Sequence, residues 1–133
     1  MGIKAIARLA PVHIPYTISA GEAADCQIFV ADQDYEIMDV RETHSIVGAG
    51  SSTLDVGVSA SGTAPASLTT ALSSTFALDS TADTPVQATL TSTLANRQVD
   101  KGEQISLNWT GTVSAYEGAV HIVLKPIRTN YTY

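Results

Sequence analysis

The sequence is short of the groups on which most protein chemistry is built. One cysteine, Cys26, stands in 133 residues, so no disulfide can close within the chain. Its neighbours Gln27, Ile28, Phe29 and Val30 predict a strand in which the thiol is a small core group rather than a nucleophile. Seven Lys and Arg stand against thirteen Asp and Glu, giving a net charge of −6 and a pI near 4.7. Phosphate backbones need clustered cations and these seven are scattered, which argues against a nucleic-acid partner. No apolar run approaches the roughly 20 residues that span a bilayer, so no membrane partner is expected. At the amino terminus, Lys4 and Arg8 interrupt the apolar stretch that a secretory signal requires, and Ile6 occupies the position where a myristoylation motif needs Ser or Thr. A chain made in the cytosol is the expectation, which leaves the sequons at Asn108 and Asn130 without meaning.

Charged residues make up 15% and aromatics 6%, the balance being mostly Ala, Ser, Thr and Gly. So little charge leaves less solvated surface than a monomeric domain ordinarily shows, which points to an exterior partly covered by other protein.

What the chain does have is alternation. From 104 to 113, Ile105, Leu107, Trp109 and Val113 share one face, while Gln104, Ser106, Asn108, Thr110 and Thr112 share the other. From 119 to 125, Val120, Ile122 and Leu124 alternate against His121 and Lys125. A loop over 114–118 ending at Gly118 joins the two runs, and the pattern predicts a hairpin that organises the fold. Upstream, strands are predicted over 12–19, 26–31 and 35–40, and again on either side of the Gly-rich turn 48–50. Pro15 confines the first to a sheet edge or an irregular segment, and the Asp32, Gln33, Asp34 turn joins the next two. In the strand after the Gly-rich turn, Leu54, Val56 and Val58 face inward against Asp55, Gly57 and Ser59. Leu68 and Leu72, four apart, predict a single short helix or a turn within 63–74. Phe76 and Leu78 start a short strand, and Val86, Ala88, Leu90 and Leu94 line one side of another. The fold class is therefore all-β: an antiparallel β-sandwich, jelly-roll-like, of about eight short strands with at most one short helix. One domain over 12–126 is expected, with an arm at 1–11 and a tail at 127–133.

Catalytic groups are sparse. His13, His44 and His121 lie far apart and form no HxH or HExxH pattern, so each reads as a half-exposed strand residue and no metal site is expected. Seven acidic residues lie between 22 and 42 with Arg41 their one positive partner. The segment lacks the Gly of a calcium-binding loop and reads as a solvated acidic edge. Nothing in the spacing of Glu36, Asp39 and Glu42 favours a glycosidase pair over that edge. The turn 48–52 lacks the Lys and long helix of a phosphate-binding loop, and no nucleophile-elbow sequence is present. No catalytic residue, no cofactor and no enzymatic activity are expected. Ile3, Ile6 and Leu9 can line one side of an arm laid on a neighbour. Tyr116, Tyr131 and Tyr133 are amphipathic contact residues in a loop and in the tail. These six are the expected interface residues.

The block VDKGEQISLNWTGTV followed by AVHIVLKP resembles the carboxy-terminal half of the small jelly-roll head decoration, or cement, proteins of tailed bacteriophages. Gly102, Glu103, Ile105, Leu107, Thr110, Gly111 and Thr112 carry the pattern, and SSTLDVGV and FALDSTADTPVQATLTS resemble the family's upstream segments. The likeness covers roughly residues 40–126. It implies a non-enzymatic virion protein, assembled in the host cytoplasm, that binds the major capsid protein on the outer head surface as a homotrimer and stabilises the shell. A receptor- or carbohydrate-binding sandwich of a phage tail or baseplate is the alternative, and requires exposed aromatics on one face.

Overall fold

The computed structural model describes residues 10–127. Within them ten strands form two five-stranded antiparallel sheets packed as a sandwich. The strands are β1 (Val12–Ile18), β2 (Cys26–Val30), β3 (Tyr35–Ile46), β4 (Thr53–Ser59), β5 (Thr69–Thr70), β6 (Phe76–Ala77), β7 (Val86–Gln87), β8 (Gln98–Val99), β9 (Gln104–Thr110) and β10 (Glu117–Pro126). One sheet has the order β1-β10-β3-β7, with β8 also on β3; the other has the order β2-β9-β4-β5, with β6 also on β4. Four of the ten strands are two-residue pairings, which short-range alternation cannot mark.

The two strands expected to form the organising hairpin do not pair. β9 lies between β2 and β4 in one sheet, and β10 between β1 and β3 in the other. Their alternation is real, because Ile105, Leu107, Val120, Ile122 and Leu124 are all buried, but the two faces meet across the core instead of side by side. The connection arches from sheet to sheet. It starts at Gly111, whose φ of +86° is open to glycine, and in which a Cβ would lie 3.0 Å from the Ser52 Cα. The acidic turn behaves likewise: it carries the chain from β2 in one sheet to β3 in the other, with Tyr35 Oη donating to Asp32 Oδ1.

Leu54, Val56 and Val58 face the core as expected, yet Gly57 and Ser59 on the opposite side are also buried. The chain that follows β4 folds back over them. Of the two outcomes expected for 63–74, a short helix or a turn, the structure has a 3-10 turn, Pro65–Ser67, followed by β5, which pairs with β4 at Gly57 and Val58. A Cβ on Gly57 would fall 2.1 Å from the Thr69 carbonyl oxygen, so only glycine permits this approach. Beneath the same cover Ser59 Oγ and Ser106 Oγ share a 2.5 Å hydrogen bond. Farther along, Ala88 and Leu90 pack against the core, whereas Val86 and Leu94 are exposed, because the run shortens to β7 and a 3-10 turn at Leu94–Arg97.

Pro15 does sit on an edge strand among the described residues: there β1 ends the sheet and pairs with β10 alone. Cys26 is half-buried against the core, its Sγ 3.7 Å from Tyr16 Oη. Among the described residues no helix is long and apolar enough to cross a membrane.

Candidate functional site

Three features of the sheet containing β1, β10 and β3 bear on function: a polar network on its inner face, a histidine pair on its outer face, and the end at which the chain enters and leaves it.

The inner network comes from β3. Val40, Glu42 and His44 fall on one side of the strand, and all three are buried. His44 Nδ1 lies 2.8 Å from Glu42 Oε1, and Nε2 lies 3.1 Å from the carbonyl oxygen of Ser80. Both ring nitrogens thus face oxygen atoms, and opposite an ionised Glu42 the ring donates to both as an imidazolium. Burial works against that charge, but the Ser80 carbonyl and the Glu42 carboxylate, with Asp83 nearby, outweigh it and raise the His44 pKa above its ordinary value. Tyr116 Oη donates to the same Glu42 oxygen at 2.7 Å. Its own pKa is pushed far up, by burial first and then by the Glu42 carboxylate. Glu42 Oε2 is buried without a hydrogen-bond partner among the described residues. The Tyr116 ring closes this end of the sandwich, 5.1 Å from the Trp109 ring and 5.9 Å from His44. Gly118 makes room for it: a Cβ there would fall 2.4 Å from both Tyr116 Oη and the Thr43 carbonyl oxygen.

Several sequence expectations are corrected here. Tyr116 is not an exposed contact residue but a fully buried one. Glu42 is part of the core, not of a solvated edge, and His44 is buried rather than half-exposed. Because Asp39 projects outward to Arg41 and Gln87 while Glu42 projects inward, the two carboxylates share no site. The other acidic groups mostly serve the backbone: Asp25 accepts from the Trp109 N–H at 2.7 Å and Asp34 from the Lys101 N–H at 2.9 Å. The network had a signal in the sequence, since Glu42 and His44 continue the inward register of Val40. Ile3, Ile6, Leu9, Tyr131 and Tyr133 lie outside the described residues.

On the outer face, β1 and β10 bring two residues 108 positions apart into contact. His13 pairs with Val123 and Pro15 with His121, so the two imidazoles are diagonal neighbours on one face. His13 Nδ1 and His121 Nε2 are 3.1 Å apart, with the rings edge to face. With Asp39, Arg41 and Val123 they line a shallow depression of about 300 Å³. Arg41 is tied to Asp39 at 2.7 Å, and Asp39 also accepts from Gln87 at 3.0 Å. No group of three or more His, Cys, Asp or Glu among the described residues is arranged to hold a metal ion.

The third feature is the end of the sheet. Val12 pairs with Leu124 at the start of β1 and the finish of β10, so the chain enters and leaves the described fold side by side.

Comparison with known proteins bears on the fold. A chain in the solved capsid of Ralstonia phage GP4 superposes with a TM-score of 0.57, over 90% of this chain and 84% of that one. The two chains share a fold. Sequence identity across the match is 15%, so the likeness is one of backbone architecture and carries no side-chain correspondence. No family model matches the sequence, and no curated protein does.

Proposed function

We propose that this chain is a non-enzymatic structural protein of a phage virion, and more narrowly a decoration protein that binds the major capsid protein on the outer head surface and stabilises the shell. The observation that carries the reading is the shared fold with a chain of the Ralstonia phage GP4 capsid over 90% of this sequence. The low charge content and the sequence resemblance to head decoration proteins support it. The two ends of the described fold lie next to each other, Val12 against Leu124, and the proposed contact residues Ile3, Ile6, Leu9, Tyr131 and Tyr133 precede and follow them in the chain. A homotrimer presenting three such ends multiplies a weak single contact into an avid one.

The carbohydrate-binding alternative gains no support from the described residues. Phe29, Phe76, Trp109 and the tyrosines at 16, 35 and 116 are all buried or half-buried, leaving no exposed aromatic platform among them.

The test is co-sedimentation of purified protein with capsids that lack decoration. Saturable binding at the head surface is expected, reduced by deletion of residues 1–9 with the sandwich intact by circular dichroism. Failure of the full chain to sediment with capsids overturns the proposal, and light scattering of the free protein checks the trimer.

A further inference from the structure

We propose that His13 and His121 form a binding site for a borderline divalent transition ion, of the zinc or nickel class, on the outer face of the sheet. The inference is independent of the capsid reading. Imidazole nitrogen is a preferred ligand for these ions, bound at about 2.0–2.1 Å. Two nitrogens at that distance and 3.1 Å apart subtend about 98° at the ion, between square-planar and tetrahedral angles. Chelation needs the proton between the rings to leave and both lone pairs to turn from each other to the ion, with the nitrogens staying about this far apart. Each ring is exposed and free to turn its lone pair toward the adjoining depression of about 300 Å³.

The backbone beneath the pair is rigid. β1 and β10 keep an unbroken antiparallel register from Val12 to Ile18, so the two Cα positions are held before the ion arrives and little ordering entropy is lost on binding. The neighbouring charges do not forbid a cation: Arg41, which lies opposite His121 on β3, is paired with Asp39. With two protein ligands the site is an open one, and water or a group from another molecule completes the coordination sphere. His44 takes no part, because both its nitrogens are engaged on the buried face.

The experiment is isothermal titration of the full chain, carrying no polyhistidine tag, with zinc chloride and separately with nickel chloride, for the wild type, His13→Ala and His121→Ala. One ion per chain is expected, with affinity falling at least about tenfold in either variant and falling as the pH is lowered, since ligation releases protons. Both residues are exposed, so the variants keep the fold. Imidazole NMR signals supply a second readout: the ion is expected to shift those of His13 and His121 and leave those of His44 in place. Equal affinity in all three proteins, no binding by the wild type, or an ion that shifts only other residues overturns the proposal.

Discussion

The two faces of one sheet use the same residue type in opposite ways. On the inner face His44 is shut away from water, held between a carboxylate and a carbonyl oxygen, and shares its carboxylate with a buried tyrosine. On the outer face His13 and His121 are side-chain hydrogen-bonding partners of each other among the described residues, and both are exposed. In the interior an unpaired charge is costly, and both nitrogens of His44 are tied down there, so this histidine is structural. Outside, water meets the same needs, which leaves the imidazoles available to a ligand. Burial, rather than residue identity, divides the scaffold from the candidate site.

The comparison can be broken at its strongest point by Glu42→Ala. Removing the carboxylate takes away the buried partner of both His44 Nδ1 and Tyr116 Oη, and should cost about 3–5 kcal/mol in urea unfolding; a loss near zero would mean that the network contributes nothing to stability. Gly118→Ala drives a methyl group into Tyr116 Oη and the Thr43 carbonyl, with an expected loss of about 1–3 kcal/mol in the same assay. Tyr116→Phe keeps the ring and deletes one bond to Glu42, for about 1 kcal/mol.

A gentler probe is pH. The His44 pKa is raised in the fold, so its stabilising contribution is fully present below its unfolded pKa of about 6.5 and is lost as pH rises through the folded value. Unfolding free energies measured from mildly acidic to alkaline pH should therefore decline, and the decline should flatten in His44→Gln. Least affected is the outer face. His121→Ala is expected to change stability by no more than about 0.5 kcal/mol in metal-free buffer, and a larger loss would show that the outer pair is structural after all.

Much of the fold was legible in the chain. The inward sets of β4, β9 and β10 and the edge position of β1 follow from alternation and from Pro15, because a strand's period of two assigns its faces locally. Pairing partners were not legible. Residues 98–126 read as a hairpin, yet Gly111 and Tyr116 turn the connection into an arch, since alternation says which side is buried and nothing about which strand lies alongside. The candidate sites divide in the same manner. Glu42 and His44 sit in the inward register of their own strand, so their burial was open to local reading. The contact of His13 with His121 depends on how β1 is aligned with β10, a register set by tertiary packing.

By itself, then, the sequence determined the class of the fold, the apolar faces that build its core, and the scarcity of groups for chemistry, because these rest on composition and on short-range periodicity. Only the tertiary structure decided that successive long strands trade sheets, that His44 meets the Ser80 carbonyl and Glu42 meets Tyr116, and that two distant histidines meet on the surface. Each of these depends on which segments the packing brings together across the chain, and on the exclusion of water from the space between them.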